Sequence, residues 1–230
     1  MTVIQILNRV LRRLREEQVT DTSEEYTKLL ESFLSDVHEE VVNSHDWSSM
    51  DSTVSVTVVA GTMEYPLTGT NENTMLRFSE GQPLVYYYDV GDVQGAALQQ
   101  ISWEKLHQLE RQDTSHTGTP YYFAFRVIED EAQIAVWPIP AASDAGATIT
   151  VRVHVPETAY QVGDSTAQTL KAPAKPLIQG VLYLALNERG EEMGEPGNIA
   201  ERRYYTAIGE AIDADMQTRG QTNRLEFYRD

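Results

Sequence analysis

The chain contains no cysteine, so it can form no disulfide and no thiolate zinc site, and it has no cysteine nucleophile. It also lacks any apolar run near the roughly 18 residues that a membrane-spanning helix needs. The first helical stretch instead carries Arg9, Arg12, Arg13 and Arg15 among its apolar positions, which argues against a membrane span and against a secretory signal. Positive charge is scarce, with 18 Lys and Arg against 35 Asp and Glu and a net charge of −17. Such a field repels phosphate backbones and argues against a sequence-reading DNA-binding protein. The acid excess is largest between residues 51 and 172.

What is present is ordinary globular material: 41% hydrophobic residues, 23% charged, and 3 Trp, 12 Tyr and 5 Phe to fill a core. At 230 residues, one domain with an insertion is expected rather than two large domains. Val3, Ile6, Leu7, Val10, Leu11 and Leu14 recur at spacings of three and four, with Thr2 as a possible cap, and predict an amphipathic helix. Tyr26, Leu29, Leu30, Phe33, Leu34, Val37 and Val41 repeat the period after a polar turn in which Asp21 precedes Glu24 by three residues; this second helix is expected to end near His45. From Ser52 the period changes to two, with Val54, Val56 and Val58 on one side. Further strands are expected at 75–78, 84–88, 121–128, 133–137 and 148–155, with a short helix or turn over 101–109. In the last strand Ile149, Val151, Val153 and Val155 face one way, and Thr148, Thr150, Arg152 and His154 the other.

Residues 156–172 read as a polar loop. A third helix follows from Leu177 to about Arg189, and a fourth, capped by Asn198, carries Ile199, Tyr205, Ile208, Ile212 and Met216 until Gly220. The expected architecture is α+β. N- and C-terminal helix pairs, 1–50 and 173–220, form a four-helix bundle into which an antiparallel β domain of about six strands, 51–172, is inserted, and 221–230 form a C-terminal tail. Each pair has an apolar stripe left over, which the other can cover.

No constellation for catalysis emerges. The five histidines lack zinc-ligand spacing, and His38-Glu39-Glu40 has no second histidine four residues on. Gly190, Gly194 and Gly197 follow a helix rather than a strand, outside a dinucleotide-binding context. Ser165 lacks the second glycine of a nucleophile elbow. Glu129, Asp130 and Glu131 would suit a cation or paired acid–base work, but a solvated hairpin tip accounts for them. Tyr86-Tyr87-Tyr88 and Tyr121-Tyr122-Phe123 suit core and subunit contact better than sugar stacking. Arg12, Arg13 and Arg15 make either a solvated helix face or a surface for acidic groups of a neighbouring subunit.

Trp47 closing a helix pair, a valine-rich strand, and then Gly61-Thr62-Met63-Glu64-Tyr65-Pro66-Leu67 resemble the opening of head-to-tail adaptor (connector) proteins of tailed bacteriophages, including the tail tubular protein A type. Ile101 to Leu109, Thr117-Gly118-Thr119-Pro120-Tyr121-Tyr122, Trp137-Pro138-Ile139-Pro140 and a closing helix pair with Arg202, Arg203, Tyr204 and Tyr205 continue that order. The resemblance implies a structural, non-enzymatic virion protein, made in the host cytoplasm, without cofactor or metal. It implies a self-assembled ring of twelve between the portal protein and the tail nozzle or tail tube protein, with no membrane contact. The acidic chain suits a channel through which DNA passes without specific binding. The resemblance further implies that the tail docks on the portal, through Arg224, Leu225, Phe227, Tyr228 and Arg229. The competing expectation is a β-rich tail or baseplate component that binds host glycan.

Overall fold

The computed structural model describes residues 1–76, 85–129, 131–190 and 195–218. In chain order the helices are α1 (Val3–Leu14), α2 (Glu25–Asn43), α3 (Trp103–Gln112), α4 (Ala174–Glu188) and α5 (Glu195–Thr218). The strands are β1 (Asp51–Thr57), β2 (Glu64–Pro66), β3 (Met75–Leu76), β4 (Val85–Tyr88), β5 (Ala96–Ala97), β6 (Gln99–Gln100), β7 (Tyr122–Ile128), β8 (Glu131–Trp137) and β9 (Thr148–His154). The fold is mixed α+β, and the described residues divide into two compact units, one holding 1–50 with those from 157 onward, the other those between 51 and 156.

In the helical unit α1, α2 and α5 each pack on α4. Its core takes Ile6, Leu7 and Val10 from α1, Leu30, Leu34 and Val41 from α2, Leu177 and Val181 from α4, and Tyr204 from α5. The closest approach is at Gly180, where a Cβ would lie 2.5 Å from Val37 Cγ1 and 2.8 Å from Tyr204 Cε2. Only a glycine lets α2 and α5 both close on α4 there.

Residues 157–172, expected as a loop of the β region, pack with the helices. Three side chains one turn apart on α2 hold Tyr160: Ser35 Oγ donates to its carbonyl (2.6 Å), its N–H donates to His38 Nδ1 (3.0 Å), and its hydroxyl donates to the buried Glu31. Because Nδ1 of His38 accepts, Nε2 carries the proton and donates to Glu157 (3.1 Å). Farther along, the carbonyls of Thr166 and Gln168 accept from the N–H groups of Ile4 and Val3 (both 3.1 Å), satisfying donors that the first turn of α1 leaves open. The polarity of this stretch therefore serves buried hydrogen bonds.

The helix boundaries depart from expectation in three places. Thr2 is the N-cap of α1, but its hydroxyl makes no cap bond; Gln5 Oε1 accepts from the Thr2 N–H instead (3.2 Å). Asp21 accepts from the Ser23 N–H and hydroxyl in a local turn, and α2 starts at Glu25. The helix expected to be capped by Asn198 already begins at Glu195, so that residue lies within it.

The β unit corrects the expectation of one antiparallel sheet of about six strands. Among the described residues there are two sheets: β1-β9-β4-β5, with β3 also pairing β9, and β2-β8-β7-β6, in which β6 runs parallel to β7. The short strands β2, β5 and β6 have two or three residues each, too few for a period of two to register. Ile149, Val151 and Val153 of the first sheet share a core with Tyr65, Phe123, Ile134 and Val136 of the second. The other face of the second sheet, with Ala124, Ala135 and Trp137, is covered by Leu106 of α3. Hence β8 is buried on both faces, and its sequence reads as a continuous apolar run. His154, expected on the solvent side, is buried, with Nδ1 2.9 Å from Asp51 Oδ1 on the paired strand. Asp144 pins the unit from inside: Tyr87 Oη (3.1 Å), Thr119 Oγ1 (2.9 Å) and the Ala141 N–H (2.8 Å) all donate to its carboxylate.

Candidate functional site

The arginines singled out from sequence share the outer side of α1. Its inner side, Val3, Ile6, Leu7, Val10 and Leu11, is buried, and Arg9, Arg12 and Arg13 are exposed opposite it. Among the described residues, none of them and not Arg15 forms an ion pair. Arg12 and Arg13 lie in the last turn, where a cation complements the helix dipole, and this accounts for part of their placement. Arg15 has φ 62°, the left-handed conformation that ends a helix and that glycine takes more easily. Glu16, the nearest acid, is already engaged at 2.7 Å by Arg189, whose guanidinium also lies over the Tyr26 ring.

The fourth helix buries a different side from the one its large apolar residues suggested. Ala200, Tyr204 and Ala207 are buried, because alanine allows close approach to α4. Ile208 and Ile212 are half-buried, while Ile199, Tyr205 and Met216 face outward at 45%, 54% and 41% exposure. Sequence periodicity located the helix but could not separate an inner stripe of small residues from an outer stripe of large ones.

The groups with reactive side chains are arranged for structure. Ser48, His45 and Asp215 meet, but Asp215 is the centre: Ser48 Oγ and N–H (3.0 Å) donate to it and His45 Nε2 lies 3.0 Å away. A nucleophilic serine would need the histidine as its proton acceptor, with the carboxylate behind the histidine. This trio instead ties the turn after α2 to α5. Glu129 follows the end of β7, Glu131 opens β8 opposite Ile128, and Asp130 lies outside the described residues. Tyr87 and Phe123 from the aromatic runs are buried, and Tyr121 is exposed. Among the described residues no three His, Asp or Glu side chains converge as a metal site would require. No helix among them is long and apolar enough to cross a membrane.

Two ionisation shifts belong to the strap around Tyr160. Burial, helped by the adjacent Glu31 carboxylate, pushes the Tyr160 phenol well above its ordinary range. Burial opposes ionisation of Glu157, but the His38 bond and the N–H groups of Lys171 and Ala172 outweigh it and hold its carboxyl below the usual value. Both shifts describe a locked internal network.

The proposed portal-docking residues, Arg224, Leu225, Phe227, Tyr228 and Arg229, lie outside the described residues. Among the described residues, the arginines of α1 form no ion pair, and Ile199, Tyr205 and Met216 of α5 are exposed. Comparison with curated proteins finds no match. The family model described as SU10 adaptor protein matches residues 1–226, nearly the whole length. The chain belongs to the SU10 adaptor protein family.

Proposed function

We propose that this protein is a structural adaptor of a phage virion, a ring of twelve copies seated between the portal protein and the tail nozzle or tail tube protein, around the channel through which DNA leaves. The match to an adaptor family over residues 1–226 is the observation that carries this reading. The order of helix pair, valine-rich strand and β region is that of the tail tubular protein A type, and we adopt that finer likeness as part of the proposal. In this reading Arg12, Arg13 and Arg15 meet acidic groups of the neighbouring subunit, and residues 221–230 dock on the portal through Arg224, Leu225, Phe227, Tyr228 and Arg229. A net charge of −17 suits a channel wall that leaves DNA free to slide. The two units and the tail then have separate tasks: the helices join subunits, the tail reaches the portal, and the β unit faces the next component.

The test is direct. Purified protein mixed with the portal of the same phage should give rings on the portal in electron micrographs. Separate species under every salt condition, by light scattering and microscopy, would remove the reading.

A further inference from the structure

The outer side of α5 has features that the chain itself leaves unexplained. Tyr205, Gly209 and Met216 recur at spacings of four and seven, which puts them in one exposed line along the helix, beside Ile212, which packs on the helical core. Gly209 stands in the middle of this line and of a 24-residue helix, where glycine is among the least favourable residues. A Cβ there would meet no atom within 4 Å, in contrast to Gly180, whose place in the core is filled on two sides. No contact within the chain accounts for a notch at that point, bordered by an exposed tyrosine and two apolar side chains.

The surroundings of Tyr205 are acidic. Glu40 of α2 and Glu201 of α5 both raise the titration of its hydroxyl, Glu40 most. This is the environment in which the chain holds its own paired arginines. Arg189 lies over Tyr26, 5.1 Å from the ring centroid, and bonds Glu16, while Arg126 lies 3.8 Å over the Trp103 ring with Glu64 at 3.3 Å. An aromatic face beside a carboxylate is a receptor for guanidinium. Among the described residues no arginine lies over the Tyr205 ring, and the arginines of α1 form no ion pair.

We propose that the α5 line of Tyr205, Gly209 and Met216 receives the outer face of α1 from a second copy of this chain. Arg9 and Arg13 lie between Tyr205 and the carboxylates of Glu40 and Glu201, and the backbone approaches closely at Gly209. Donor and receptor faces sit on different helices, so the contact can run head to tail, repeating from copy to copy until it closes, and the ladder below separates this from a reciprocal two-fold dimer. The proposal rests on the ring reading above and specifies which faces form the joint.

The absence of native cysteine makes the test clean. The double variant Arg12→Cys with Asp213→Cys, treated with a short bismaleimide during assembly on the portal, should give a ladder of cross-linked multimers, and either single variant should give none. Gly209→Gln should melt no lower than the parent protein yet fail to form rings. Arg9→Glu with Arg13→Glu should also lose rings, and adding Glu40→Arg and Glu201→Arg should restore them. Rings that form without the ladder, and that survive Gly209→Gln, would overturn this joint and leave the adaptor reading standing. Dimers from Asp213→Cys alone would overturn it in favour of a two-fold contact. No rings from the parent protein on its portal would remove both readings.

Discussion

The helical unit and the β unit are each closed around a buried carboxylate, Glu31 in one and Asp144 in the other. They differ in what they leave outside. Among the described residues, the exposed large apolar residues of the β unit are Val59, Met75, Tyr121 and, together in the β4–β5 turn, Val90 and Val93, so they are spread over several strands and turns. In the helical unit three of the four, Ile199, Tyr205 and Met216, belong to one helix. A sheet covered by a second sheet and by α3 has used its apolar faces, whereas a set of helices centred on α4 still has a face to cover.

The strongest way to break this contrast is Leu30→Asp. Leu30 is fully buried in the helical core, and an unpaired charge there costs several kcal/mol against a total stability of about 5–15 kcal/mol. We expect loss of the helical unit's unfolding transition in calorimetry, with the β unit's transition retained. A parental melting profile would show that the helical core is wrongly assigned.

The two buried carboxylates allow a paired measurement. Tyr160→Phe leaves Glu31 with one remaining donor, the Gly163 N–H at 3.3 Å, while Tyr87→Phe leaves Asp144 with both Thr119 and the Ala141 N–H. Tyr160→Phe is expected to cost about 2–3 kcal/mol and Tyr87→Phe about 1 kcal/mol by urea denaturation. The reverse order would mean that the helical strap is peripheral.

Acid should loosen the strap further. The Glu157 carboxyl titrates lower folded than unfolded, so its contribution is complete above the ordinary carboxyl value of about 4.3 and is lost as pH falls through the folded value. Glu157→Gln should flatten the acid limb of the helical unit's stability profile between about pH 5 and 2.

A smaller effect separates stability from assembly. Arg15→Gly relieves the left-handed strain and should raise stability by up to about 1 kcal/mol, while weakening ring formation if the side chain reaches a neighbour. Rings of unchanged stability would reduce Arg15 to a helix stop. Removing residues 221–230 should change melting by less than about 0.5 kcal/mol and abolish portal binding. Undiminished portal binding would reject the docking role.

Much of the fold was legible because local periodicity and burial coincide where an element has one inner face. The stripes of α1 and α2 and the alternation of β9 are the faces that are buried, so Val3 to Leu11, Leu30 to Val41 and Ile149 to Val153 were readable from spacing. The arginine face of α1 was legible for the same reason, as the complement of its apolar stripe. The strap at 157–172 was not, since its partners, Glu31, Ser35 and His38, lie 119 or more residues away and its polarity looks the same whether it meets water or buried groups.

Spacing alone therefore determined which segments are helices and strands, that the chain carries excess acid, and that four arginines crowd one short helix. Tertiary structure decided that Tyr204 turns inward and Tyr205 outward, that His154 is buried, that the strands among the described residues form two sheets, and that Gly180 is packed while Gly209 stands open. The physical reason is that hydrophobicity records a residue's cost in water but not which neighbour covers it. On α5, Ala200 and Ala207 take the inner side with Tyr204 because helices approach closely over small residues, while Ile199, Tyr205 and Met216 remain outside.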